Sequence, residues 1–172
     1  MRQALTLFVA LTAGSVLWRI LPHEWNMTPF MALALFAGAR LPAGAWRYAL
    51  PLGGMLLADL VIGLHATMMW VYGAMVALVL LGTVLKGRVL PWYLGGAVAG
   101  SLLFFVVTNF GVWASTSMYP GSVEGLVACY VAALPFLAKS MAADLFFTVV
   151  FFGAFAWLDQ RQARDLASRS SL

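Results

Sequence analysis

Apolar runs separated by short polar connections make up most of the chain. A helix that crosses a bilayer needs about 20 predominantly apolar residues, so runs of this kind predict transmembrane helices. Proline opens the second and the fifth run, at Pro29 and Pro91, which suits the first turn of a helix. The first five runs are residues 4–22, 28–41, 48–64, 66–85 and 91–114.

The apolar stretch at residues 121–158 is too long for one span and carries Pro135 and Lys139 in its middle. We interpret it as a short helical segment at 121–135, in the last outer loop, that does not fully cross. A sixth span follows at 141–158. The predicted fold is an all-α integral membrane protein, with six transmembrane helices in one bundle and a short extra helical segment.

The first run also has features of a secretory signal peptide, because Arg2 precedes it and the small residues 13–15 lie within it. The run continues past these small residues through Trp18 and Ile20, and the charges that follow are typical of a membrane interface. We therefore interpret it as the first transmembrane helix.

Basic residues near helix ends indicate the orientation, since Lys and Arg concentrate in cytoplasmic loops. With a cytoplasmic N-terminus, six spans place eight of the ten basic residues inside and two outside. A full span at 121–135 would give six and four, so six spans fit better. The inner set is Arg2, Arg40, Arg47, Lys86, Arg88, Arg161, Arg164 and Arg169, and the outer set is Arg19 and Lys139.

These counts predict a multi-pass membrane protein with both termini in the cytoplasm. Residues 1–158 form the transmembrane domain, and residues 159–172 form a polar cytoplasmic tail. The composition agrees, because 63% hydrophobic and 9% charged residues lie far from the values of a soluble domain. The 172 residues leave no room for a soluble catalytic domain beside six spans.

Several function classes are disfavoured by the same residues. The formal charge of +4 comes from basic residues that occur singly at the ends of apolar runs, which does not suit a nucleic-acid-binding patch. A single cysteine excludes an intrachain disulfide, and the two histidines lack metal-ligand spacing. There is neither a phosphate-binding loop nor a nucleophile with an adjacent base. We therefore predict no resident cofactor, no metal site and no enzymatic activity.

Polar and aromatic residues concentrate in the outer half of the predicted bundle. Ionisable groups are costly inside a bilayer, so each needs a partner or a function. An aromatic cavity with a few convergent polar groups is typical of a small-molecule site, and we predict one that opens outward. Its candidate substrate-binding residues are Asn26, Asp59, His65, Trp70, Asn109, Trp113, Tyr119, Tyr130 and Asp144.

Purely structural roles are the alternative explanation for the same residues. Asp59 and Asp144 are equally explained by hydrogen bonds between helices or by pairing with Lys139, and Asn109 suits an interhelical hydrogen bond. The tryptophans and tyrosines are also typical interface anchors. Cys129 fits a small buried apolar position, with a ligand to a metal-containing substrate as the alternative.

Small residues recur four positions apart, as at Ala10 and Gly14 in the first run. This spacing lets helices approach closely in lipid. It suits packing within the monomer, and it also suits a first helix that presents Ala10 and Gly14 to a second membrane subunit.

Four segments resemble a family of small, uncharacterised bacterial membrane proteins, which are regarded as similar to the substrate-binding S components of energy-coupling-factor (ECF) vitamin transporters. They are Asn26-Met27-Thr28-Pro29, PLGGMLLADLVIGLH at 51–65, TNFGVWASTSMYP at 108–120, and GLVACYVAALPF followed by ADLFFT within 125–148. The resemblance implies a six-helix membrane protein that captures a vitamin from outside.

The resemblance also implies a partner. S components dock through small residues of the first helix on a membrane coupling subunit driven by two ATPases. The family's usual pair is two alanines, where this chain has Ala10 and Gly14. Some S components specific for cobalamin work alone, and by that analogy Cys129 is a candidate ligand to cobalt.

Two functions of different classes follow. The first is an S-component-like transport protein that captures a vitamin or related micronutrient at the outer face. The alternative is a structural or scaffold membrane subunit of a cell-envelope assembly, which needs no substrate.

Overall fold

The computed structural model describes residues 2–22 and 27–170. For residues 2–4, 165, 166, 169 and 170 it describes the backbone only. This part of the chain contains six helices and no strand. Asn26, predicted for the site, lies outside the described residues. The helices are α1 (Arg2–Ile20), α2 (Phe30–Arg40), α3 (Trp46–Ile62), α4 (Met68–Val84), α5 (Leu90–Ser115) and α6 (Val123–Ser170). The all-helical bundle predicted from the sequence is confirmed.

The short helix α2 forms the centre of the bundle. Every residue from Phe30 to Ala39 is buried, although a surface helix would leave one face polar and exposed. At about 1.5 Å per residue its eleven residues extend only about 16 Å, half of a typical hydrocarbon core. The other helices surround it, and its Phe36 stacks on Phe8 of α1 with ring centroids 4.5 Å apart.

Two glycines let α2 and α4 approach backbone to backbone. A Cβ atom at Gly38 would overlap the carbonyl of Val79, and one at Gly82 would overlap the carbonyl of Leu35. Small residues at helix crossings allow this proximity, which increases the van der Waals contact between the helices. The two glycines therefore allow α2 to pack directly against the backbone of α4 in the interior of the bundle.

The predicted interruption between residues 135 and 141 is wrong, because α6 is one continuous helix of 48 residues with Pro135 in its interior. Contacts with the antiparallel α5 hold the helix on both sides of Pro135. The Tyr130 hydroxyl donates to the carbonyl of Val106 at 2.7 Å, and the rings of Tyr93 and Phe152 stack at 3.9 Å. Packing of this kind tolerates the one backbone hydrogen bond that a proline removes.

Basic side chains gather at one end of the bundle, around the α2–α3 and α4–α5 connections. Arg47 is buried and donates to the carbonyls of Leu41 and Pro42 and to the Thr83 hydroxyl. Arg40 lies over aromatic rings of α5 and α6, 5.4 Å from the ring centroid of Tyr93. Arg19 lies near the other end of the bundle.

Two of the described helices are long and apolar enough to cross a membrane, Leu90–Ser115 and Val123–Arg164. Shorter apolar helices cover Leu5–Ile20, Phe30–Arg40 and Met68–Val84. The molecule is thus a helical bundle with two candidate membrane-spanning helices.

Candidate functional site

An ion pair joins α1 to α3 near the end of the bundle opposite the basic cluster. The Arg19 guanidinium donates through Nη2 to Asp59 Oδ1 at 2.9 Å, and the Tyr72 hydroxyl of α4 donates to Asp59 Oδ2 at 2.8 Å. The Asp59 side chain is 1% exposed and that of Arg19 is 20% exposed. The carboxylate is therefore enclosed, whereas part of the guanidinium faces open space.

That open space is a cavity of about 270 Å³. It is bordered by helices α1, α3, α4, α5 and α6 together with the connection between α3 and α4. Its polar lining is Arg19, His65, Thr108, Asn109 and Ser140; its apolar lining is Met55, Val71, Phe104, Phe105, Val112, Ala133, Phe136 and Leu137. A largely apolar wall with a few polar groups is the usual composition of a small-molecule site.

Two of the predicted site residues, His65 and Asn109, line this cavity. His65 lies in the α3–α4 connection, where its Nδ1 is 2.9 Å from the Thr67 hydroxyl. Asn109 donates through Nδ2 to the carbonyl of Phe105, one turn earlier in α5, at 2.8 Å. This bond lies within α5 and is not the interhelical bond considered above.

Asp59 is not part of the cavity lining, but its ion pair fixes the position of Arg19, which is.

Asp144 lies away from this ion pair. It is 2% exposed, and Ser101 of α5 lies 2.7 Å from its Oδ2. The void beside it has no room for a water molecule. Its geometry is that of a helix-packing contact.

The predicted aromatic residues do not belong to the cavity lining, and the described contacts of three of them include anchoring hydrogen bonds. Trp70 donates to the Ser115 hydroxyl at 2.8 Å and packs so closely on α5 that a Cβ at Gly111 would overlap its ring. Trp113 donates to the carbonyl of Pro120 at 2.9 Å and closes the α5–α6 connection. Tyr130 reaches α5 through Val106, as described above, and Tyr119 is half-buried in the connection.

Cys129 is buried between α5 and α6, where its thiol lies 3.4 Å from the carbonyl of Asn109. It does not belong to the cavity lining. Among the residues that the structure describes, no three His, Cys, Asp or Glu side chains are grouped as metal ligands.

Ala10 and Gly14 lie on an exposed face of α1. A Cβ atom at Gly14 would meet nothing within 4 Å. The pair is therefore not used for packing within the described bundle.

The sequence reasoning missed Arg19, which we counted only as one of two outer basic residues. A signal was present, because a lone arginine at the outer end of an apolar helix needs an acidic partner and Asp59 lies at the corresponding end of α3. Thr108 and Ser140 carried no such signal. Threonine and serine are common in apolar helices, where they bond to the carbonyl one turn earlier, as both do here.

The chain matches a family model described as a family of unknown function, DUF6580, over residues 1–167. Neither a curated protein nor a solved structure matches it. The match covers nearly the whole chain, including all five helices that border the cavity. The chain belongs to the DUF6580 family.

Proposed function

We propose that the chain is a membrane-embedded transport protein that binds a vitamin or related micronutrient at the outer face of the bacterial inner membrane for uptake. The observation that carries this proposal is the cavity bordered by Arg19, His65 and Asn109. A site for a small molecule needs an apolar body and few fixed polar groups, and this cavity has both.

The exposed surface supports a lipid environment. Large apolar side chains are exposed on several helices, such as Val61 (66%) on α3, Val84 (76%) on α4 and Phe146 (60%) on α6. Burial of apolar surface is worth about 25 cal/mol per Å², so such a surface in water would be costly. Extended apolar surfaces of this kind are typical of membrane or protein contacts.

The charge distribution supports the outward orientation of the cavity. Arg40, Arg47, Lys86 and Arg88 lie at the α2–α3 and α4–α5 connections, away from the cavity. The positive-inside rule assigns that end to the cytoplasm. The cavity then opens on the external side, where a nutrient arrives.

The exposed face of α1 supports docking on a membrane partner. Ala10 and Gly14 are exposed, and a Cβ atom at Gly14 would meet nothing within 4 Å, so a neighbouring helix could approach this face. We propose that an ECF-type coupling subunit with ATPases binds here, which would supply the energy for release inward. A scaffold protein could use the same face, but it would have no need for a polar-lined cavity.

Ligand screening separates the two functions. Purified protein in detergent is heated with each member of a panel of water-soluble vitamins and their precursors. A ligand that binds only the folded state stabilises it by about 2.7 kcal/mol at one hundred times its Kd. We expect at least one compound to raise Tm and to accumulate faster in cells that express the chain. A panel without any shift or uptake would favour the scaffold function.

A further inference from the structure

We infer that the cavity selects a small compound with one carboxylate on an apolar, planar body, and that Arg19 is the residue that binds the carboxylate. This inference rests on the proposed function and specifies its substrate class. It is carried by the charges that line the cavity, by the unused donors of Arg19 and by the aromatic walls.

The first step is the sign of the charge. The described lining contains one guanidinium and one histidine but no Asp or Glu. Asp59 is fully buried and holds Arg19, so it cannot meet a ligand without moving that arginine. A bound molecule therefore meets the guanidinium before it meets the carboxylate that balances it, and this arrangement favours an anionic group over a cationic one.

The second step is the geometry of Arg19. An arginine has five N–H donors in a planar fork, and only Nη2 is engaged with Asp59. Its Nε is buried and therefore lies out of reach of a ligand in the cavity. The donors that remain for a ligand are those of Nη1, which has no acceptor among the described residues, and the second N–H of Nη2. A carboxylate can accept two parallel bonds from such a pair of nitrogens.

The third step limits the ligand to one acidic group. Thr108, Asn109 and Ser140 donate to the carbonyls of Phe104, Phe105 and Phe136, one turn earlier in their own helices. Their oxygen atoms remain as acceptors, which suit hydrogen-bond donors of a ligand. Asn109 also keeps its second N–H as a donor, but none of the three side chains carries a charge that would balance a second carboxylate. The site thus has one cationic end, which binds an anion, and one uncharged end that mainly accepts hydrogen bonds.

The fourth step gives size and shape. A volume of 270 Å³ equals about nine water molecules at 30 Å³ each, which suits a ligand of roughly ten non-hydrogen atoms. Phe104, Phe105 and Phe136 belong to its lining. Aromatic rings prefer to stack on or meet the edge of another ring, so a flat ring is favoured over a flexible chain.

The test uses three probes that share one ring. Benzoate, benzamide and benzylamine present a carboxylate, a neutral amide and an ammonium group at the same position. Each is titrated against the purified full-length protein by calorimetry, at constant ionic strength. We expect benzoate to bind at least tenfold more tightly than benzamide and benzylamine to be the weakest.

Two variants assign the preference to Arg19. The double variant Arg19→Gln/Asp59→Asn removes the ion pair without leaving a lone buried charge. It should bind benzoate about tenfold to one hundredfold more weakly than the unmodified protein does, whereas its affinity for benzamide should change little. The variant Asp59→Asn leaves the guanidinium uncompensated and should bind benzoate more tightly. Arg164→Gln/Asp159→Asn changes the same charges at exposed positions of α6 and is the matched control.

The outcomes are distinct. Equal binding of benzoate and benzamide, or unchanged benzoate binding in the folded double variant, would overturn the inference. If the vitamin panel then yields only neutral or cationic ligands, the proposed function stands and the carboxylate class is wrong. If the panel yields no ligand and benzoate also fails to bind, both proposals fall.

Discussion

Arg19 and Asp59 lie 40 positions apart in the sequence and meet at 2.9 Å, where they join α1 to α3 beside the cavity. The pair has two roles that follow from its unequal exposure. Asp59 is enclosed and fixes the orientation of the guanidinium, and the exposed part of Arg19 lines the cavity. The same contact connects the cavity to α1, the helix whose other face carries Ala10 and Gly14.

Loss of either partner should destabilise the fold more than loss of both. Breaking a buried ion pair on one side costs about 3–5 kcal/mol, and we expect Asp59→Ala to fall at the low end because Arg19 keeps some exposure. Arg19→Gln/Asp59→Asn should lose less than half of that. Thermal unfolding in detergent measures both. A double variant less stable than Asp59→Ala would show that the pair itself stabilises the bundle.

The crossing of α2 and α4 should not accept a methyl group. Gly38→Ala and Gly82→Ala each place a Cβ against a backbone carbonyl, so the helices must move apart. Overpacking of this kind costs about 1–3 kcal/mol. Gly73→Ala, at an exposed position of α4 with open space around it, is the control and should be neutral or slightly stabilising. Equal melting temperatures for all three variants would contradict the close contact between α2 and α4 at Gly38 and Gly82.

Asp144 should matter for packing and not for binding. Asn keeps both a donor and an acceptor for Ser101, so Asp144→Asn should change the free energy of unfolding by less than about 1 kcal/mol. Asp144→Ala should lose about 1–3 kcal/mol. Both variants should keep the ligand-induced rise in Tm. A folded Asp144→Asn protein that no longer responds to ligand would return Asp144 to the binding site.

The orientation can be read from cysteine labelling. Cys129 is the only cysteine and is buried, so a Cys129→Ala background carries no competing thiol. In that background a membrane-impermeant maleimide should label Ser117→Cys, in the exposed α5–α6 connection, in intact cells. It should label Asp159→Cys, on α6, only after permeabilisation. The reverse pattern would place the cavity on the cytoplasmic side.

The sequence was sufficient for the helical class and for the approximate position of most helices, because runs of apolar residues report directly on burial in protein or lipid. It failed at Pro135, where local propensity predicts a break and packing against α5 overrides it. Hydropathy could not distinguish α2, which is buried by protein on all sides, from a helix that faces lipid.

The site was predicted only in part for a related reason. His65 and Asn109 could be found because polar residues stand out in apolar surroundings. Apolar periodicity does not show which acid faces a cavity, so Asp59 and Asp144 looked equivalent. In the structure the Asp59 carboxylate bonds to Arg19 of the lining, whereas the Asp144 carboxylate bonds to Ser101, which is not part of it. The sequence indicated that Arg19 needs an acidic partner, but its pairing with Asp59 depends on the contact between α1 and α3.

Filling the cavity with a larger side chain tests most directly whether it is the binding site. Ala133 is buried and belongs to the lining, whereas the adjacent Ala132 is exposed on the same helix. The measurement is the Kd of the tightest ligand from the panel for Ala133→Phe and for Ala132→Phe. We predict that Ala133→Phe folds and loses binding by at least tenfold, and that Ala132→Phe binds like the unmodified protein. Unchanged affinity in a folded Ala133→Phe protein would contradict the claim that this cavity is the binding site.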